Sequence, residues 1–160
     1  MTVETPDRGA TERLADFWVD LAEEQREHDS RLAAADNRPE MKERIGHAIV
    51  SDNVRVARED GEIVGFVMFD VELGSLATTR QRGLVHNIYV VPERRGEGIG
   101  SELLAAAERE LSGRGADTVA LEVMAGNDAA RRFYRRHGYD QHRVAMEKPV
   151  ESDNHSKENE

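Results

Sequence analysis

Apolar residues recur at two spacings along the chain, and the switches between them outline its elements. Residues 1–10 are polar, with Pro6 and Gly9, and read as a lead-in where Val3 gives a weak strand signal. Leu14, Phe17, Trp18 and Leu21 then fall three and four residues apart, which predicts a helix over residues 11–27. The spacing lapses between Asp29 and Arg38. Pro39 suits the first turn of a second helix, where its missing N–H is no loss, and Met41, Ile45, Ala48 and Ile49 supply the inner stripe.

Beyond the second helix the period changes to two. Val54 to Glu59 reads as a strand, Asp60-Gly61 as a tight turn and Ile63 to Leu73 as the returning strand. Residues 74–82 are small and polar and read as a loop. Leu84 to Val91 reads as a third strand, stopped by Pro92. A helical stripe follows at Ile99, Leu103, Leu104, Ala107 and Leu111, ended by Gly113 and Gly115. Thr118 to Met124 is β-branched and apolar, another strand. Asn127 can cap a short helix with Ala130, Phe133, Tyr134 and His137 on its inner face and Gly138 at its end. Residues 139–148 read as one or two final strands. Helices and strands thus mix around one sheet, so the expected fold class is α/β or α+β. There is no internal repeat or linker: residues 1–150 read as one domain and 151–160 as a disordered acidic tail.

Composition narrows the function. A chain of 160 residues can bury a core without staples. With no cysteine there is no disulfide, thiolate metal site or cysteine nucleophile. The six histidines show no metal-ligand spacing, so no metal is expected. No apolar run approaches the roughly 20 residues of a membrane span, and the first 30 residues lack a secretory signal pattern; a soluble, cytoplasmic protein is the expectation. The net charge of −10 argues against general nucleic-acid binding, which needs a basic footprint. Only Lys42, Lys148 and Lys157 are lysines among the 22 basic residues. This acid-rich, lysine-poor balance resembles a salt-adapted (halophilic-type) proteome, in which ions screen self-repulsion; an ordinary acidic protein is the alternative.

The chemistry concentrates in Tyr89-Val90-Val91-Pro92-Glu93-Arg94-Arg95-Gly96-Glu97-Gly98-Ile99-Gly100. Three glycines in five residues, between a strand and an amphipathic helix, let backbone N–H groups approach a ligand. The helix start adds free N–H groups and a partial positive charge, so the segment suits a pyrophosphate. No lysine follows Gly100, as a P-loop requires, and Ser101 stands where a dinucleotide fingerprint needs its third glycine. A glycine turn that binds nothing is the plain alternative.

Arg95-Gly96-Glu97-Gly98-Ile99-Gly100 resembles the Arg/Gln-x-x-Gly-x-Gly/Ala signature of the GNAT family of N-acetyltransferases, and Asn87 to Pro92 resembles that family's central strand. Asn127, Ala129-Ala130, Phe133-Tyr134 and Gly138-Tyr139 are similar to its asparagine, short helix and Phe-Tyr…Gly-Phe block. The likeness runs over residues 54–148. It implies a mixed, mainly antiparallel central sheet flanked by about four helices. The implied activity is transfer of acetyl from acetyl-CoA to a primary amine, by direct attack in a ternary complex.

The resemblance also implies roles. Arg95, Gly96, Gly98 and Gly100 would hold the pyrophosphate, with Glu97 and Ile99 lining by position. Ile88 and Val90 would pair with the pantetheine arm, and the Val90 N–H would polarise the thioester carbonyl. Asn127 would touch the same arm, a role compatible with capping. Tyr134 would protonate the leaving thiolate, although a core aromatic is the simpler role for it. Where many members carry a glutamate as amine base, this chain has His86, a residue able to do the work or to be structural; Glu122 is a weaker candidate. Arg131, Arg132, Arg135 and Arg136 crowd one short helix, fitting the 3′-phosphate of the coenzyme or a solvated face paired with acids. Acceptor choice would fall to Trp18, Glu24, His28, Asp29 and the 74–82 loop. Family members are often dimeric, which makes a homodimer the state to test. The rival readings are an acyl-CoA-binding sensor that has lost catalysis, favoured by the absent glutamate, and a nucleotide-binding oxidoreductase.

Overall fold

A computed structural model describes residues 1–72 and 81–150. The chain opens with β1 (Thr2–Glu4), then α1 (Thr11–Arg26), α2 (Arg38–Val50), β2 (Val54–Glu59), β3 (Glu62–Val71), β4 (Arg82–Val90), α3 (Ile99–Gly113), β5 (Thr118–Leu121) and α4 (Asp128–Arg136). The weak signal at Val3 is a real strand, because three residues need only an existing edge to pair with, and β2 supplies it in antiparallel register. Asp60 and Gly61 both take positive φ, at 50° and 81°, as a two-residue hairpin turn demands. The sheet order is β1-β2-β3-β4-β5; the first three pairings are antiparallel and β4–β5 is parallel.

Adjacent residues of β3 show how the layers form. A Cβ at Gly65 would meet Leu103 of α3 at 3.1 Å. Phe66 points the other way and stacks on Phe17 of α1, ring centroids 6.3 Å apart. So α3 covers one face, with Leu103, Leu104 and Leu111 fully buried. On the other face lies α1, with Leu14, Phe17 and Trp18 buried, and α2 packs beside it through Ile45 and Ile49.

Two expectations fail at the C-terminal end. β5 stops at Leu121, short of Met124. Residues 140–150 form no strand, and Val144, Met146 and Val150 are exposed by 68%, 90% and 96%. Alternating apolar residues make a strand only where an edge offers hydrogen bonds and a surface to cover; this segment is instead held by the two-pronged ion pair of Arg31 with Glu147. The expected loop at 74–82 lies outside the described residues except for its last two positions, of which Arg82 begins β4, and the expected tail at 151–160 lies wholly outside them.

Candidate active site

The site is built on the end of β4. The Val91 N–H donates to the Val64 carbonyl at 2.9 Å, and the register continues with Gly65↔Val90, Phe66↔Tyr89 and Val67↔Ile88. The antiparallel alternation then turns the peptide groups of Tyr89 toward β3 and those of Ile88 and Val90 away from it. β5 covers that outer side only from Arg82 to Val85. Beyond Val85 no strand among the described residues pairs with it. The two residues expected to pair with a pantetheine arm therefore border an open edge.

A bulge makes this geometry. Met68 pairs with Asn87 and Phe69 with Val85, so His86 faces no partner. The effect shows in the side chains. A Cβ on Gly83 would strike Leu111 of α3 at 2.8 Å, whereas Tyr89, six residues on, stacks on Phe17 of α1 at 5.2 Å. Without an extra residue those two positions would share a face. His86 is exposed on the bulge, at the start of the open edge.

The glycine turn follows. Gly96 and Gly98 take φ of 79° and 87°, and a Cβ at either would meet nothing within 4 Å; the backbone, not crowding, demands glycine. No side chain caps α3. Its ladder begins with the Glu102 N–H donating to the Gly98 carbonyl at 3.1 Å, leaving the N–H groups of Ile99, Gly100 and Ser101 without an acceptor in the helix. Ile99 is buried, so it can line the turn only through its backbone. Glu97 pairs with Arg94 at 3.1 Å, and Arg94 also pairs with Glu59, holding that carboxyl below the usual range and anchoring the turn to the β2–β3 hairpin. Arg95 bends back: its Nε donates to the Val90 carbonyl at 2.8 Å, its Nη2 reaches Glu24 of α1 at 2.8 Å, and its guanidinium lies 5.3 Å from the Tyr89 ring centre. Its side chain thus ties α1 to the end of β4, while its backbone N–H donates to the Pro92 carbonyl at 3.3 Å.

α4 closes the other side. The Asn127 side chain accepts from the Ala130 N–H at 3.1 Å, the expected cap. Phe133 lies against Gly100, where a Cβ would sit 3.5 Å from its Cζ. Tyr134 packs edge-on to Phe133 and Tyr139, centroids 5.3 and 5.9 Å away, and burial pushes its phenol up to about 12. A tyrosine already keeps its proton at neutral pH, and burial moves Tyr134 further that way. Arg131 donates to the Ala125 carbonyl at 3.1 Å and braces the turn before the helix. Arg132, Arg135 and Arg136 are exposed, and none of the four arginines forms an ion pair among the described residues; the acid-paired alternative finds no partner there. Of the acceptor candidates, Trp18 is a buried core residue and Glu24 is bound to Arg95; Glu122, the weaker candidate for the base, lies exposed past the end of β5. The bulge, the Arg95–Glu24 tie and a contact between Ser101 and His137 went unread in the sequence, although the polar His86-Asn87 pair inside an apolar strand was a signal for the first.

The chain matches known proteins in sequence and in fold. The sequence model of the acetyltransferase (GNAT) family matches residues 11–139, and the chain belongs to that family. An uncharacterized N-acetyltransferase of Archaeoglobus fulgidus is 42% identical over 83 residues, 52% of this chain and 56% of that protein, so the chain spans about half the length of this curated relative. Among solved structures, a mutant of the BH1408 protein of Bacillus halodurans superposes with a TM-score of 0.79 at 22% identity, over 94% of this chain and 99% of that one. An aminoglycoside N-acetyltransferase in complex with CoA superposes with a TM-score of 0.70 at 16% identity, over 92% and 93%. At these identities the structures establish the fold.

Proposed function

We propose that the chain is an acetyl-CoA-dependent N-acetyltransferase acting on a primary amine. The observation that carries the reading is the meeting of β4's open edge with a glycine turn whose helix-start amides have no acceptor in the helix. The N–H groups of Gly96, Gly98, Ile99 and Gly100 are of the right kind for a pyrophosphate, and the arginines of α4, which form no ion pair among the described residues, suit a polyanionic coenzyme in an otherwise acidic protein. Ile88 and Val90 offer backbone groups to the pantetheine arm, with the Val90 N–H as donor to the thioester oxygen.

In the proposed reaction the amine nitrogen bonds to the acetyl carbon, the carbon–sulfur bond breaks, and the thiolate takes the Tyr134 phenolic proton. His86 accepts the proton lost by the amine, directly or through water. With no cysteine in the chain, direct transfer in a ternary complex is favoured over a thiol-bound acetyl-enzyme.

The test is release of free CoA from acetyl-CoA across a panel of polyamines, aminoglycosides, amino acids and peptides. Release that depends on an amine supports the reading. Tight coenzyme binding with no release for any amine would favour a binding module instead.

A further inference from the structure

α4 and the residues just past its end meet α3 through three side chains, Phe133 within the helix and His137 and Tyr139 beyond it. Phe133 lies against Gly100, His137 Nε2 stands 2.9 Å from Ser101 Oγ, and the Tyr139 hydroxyl donates to Glu108 Oε2 at 2.7 Å. The first is a packing contact and the third a partly buried hydrogen bond. The second carries more, because the partners of His137 settle its proton. Its Nδ1 lies 2.7 Å from the Phe133 carbonyl. A carbonyl only accepts, so Nδ1 bears the hydrogen. In the neutral ring Nε2 is then the acceptor, and the Ser101 hydroxyl donates to it. The ring also packs on Phe133, centroids 4.5 Å apart.

These two bonds do different things. The Nδ1 bond runs within one turn of α4 and serves that helix alone. The Nε2 bond crosses to the third residue of α3, in the turn whose free amides face the glycine loop. We propose that His137 is a positioning residue for acetyl transfer. By accepting the hydrogen bond of the Ser101 hydroxyl it sets the angle of α4 on α3, and with it the place of Tyr134 and Asn127 over the coenzyme turn. The inference rests on the transfer reading above.

Three variants separate the bonds. His137→Asn keeps an N–H for Phe133 and loses Ser101; His137→Gln places a side-chain oxygen within reach of Ser101; Ser101→Ala removes the donor. Ser101→Ala and His137→Asn are each expected to lower kcat about tenfold, since misplaced reacting groups are costly, while the CoA dissociation constant, measured by calorimetry, moves less than about threefold. The double variant is expected to lose no more than either single one, as partners in one interaction do, and His137→Gln to recover most of the loss. Unchanged kcat in Ser101→Ala, or losses that multiply in the double variant, would overturn the proposal. A second readout needs no acceptor. In the CoA complex the Tyr134 ring resonances shift in Ser101→Ala and His137→Asn alike and return in His137→Gln; resonances that stay in place would overturn the proposal. Absence of turnover by the wild-type protein with every amine would count against the transfer reading instead.

Discussion

Tyr134 carries the sharpest expectation among single residues. Its phenol, like any tyrosine's, keeps its proton through the neutral range, and burial raises it further; in the proposed reaction it donates to the leaving thiolate. Tyr134→Phe should lower turnover at least about tenfold, the scale of general acid catalysis, with acetyl-CoA still bound; unchanged turnover would remove it from the chemistry. Burial raises Tyr89 and Tyr139 as well, helped by Asp20 and Glu24 in the first case and by Glu108 in the second. A folded-state value above the unfolded one means the stabilisation is complete below about pH 10 and is lost as pH rises toward the folded values. The melting temperature should therefore decline above about pH 10, and less steeply in Tyr134→Phe; identical slopes in the two proteins would contradict the assigned burial. The Asn127 cap and the inward packing of Tyr134 were legible because a capping residue and apolar positions at helical spacing are local signals. Ser101 and His137 were not, since each is an ordinary residue at its own position and their meeting depends on how two helices cross.

At the scale of elements, helices and the hairpin were legible because their signals are local: spacing, Pro39, Asp60-Gly61 and the glycines after Leu111. The sheet edges were not. The bulge at His86 and the missing pairing of residues 140–150 depend on what lies beside a strand, which no window of sequence contains. The glycine turn is local in its backbone and non-local in its purpose, so substitution should report both. Gly98→Ala forces a side chain to φ of 87°, a cost of about 1–2 kcal/mol, and should weaken coenzyme binding along with stability. Asn127→Ala should cost about 1 kcal/mol by denaturant unfolding, the usual worth of a helix cap. Loss of stability in Gly98→Ala with coenzyme affinity unchanged would separate the turn from the ligand.

The molecule as a whole carries a net charge of −10, while its short helix α4 holds four arginines without ion pairs among the described residues. Many of the ion pairs elsewhere are exposed, such as Arg44–Glu40 and Arg31–Glu147, and such pairs are worth little. Self-repulsion then dominates the response to salt, and the melting temperature should rise on going from dilute buffer to molar KCl, where screening shortens to about 3 Å; a fall would contradict the salt-adapted reading. The same imbalance underlies the proposal that α4 and the glycine turn hold an anionic coenzyme. A thermal-shift titration of the wild-type protein with acetyl-CoA in molar KCl, with NAD as control, tests the central claim most directly. Acetyl-CoA at a hundred times its dissociation constant should add about 2.7 kcal/mol of stability and raise the melting temperature visibly, while NAD leaves it in place. A cooperative melt that acetyl-CoA does not move, in high or low salt, would contradict the account, because the turn at Gly96–Gly100 would then not hold the coenzyme.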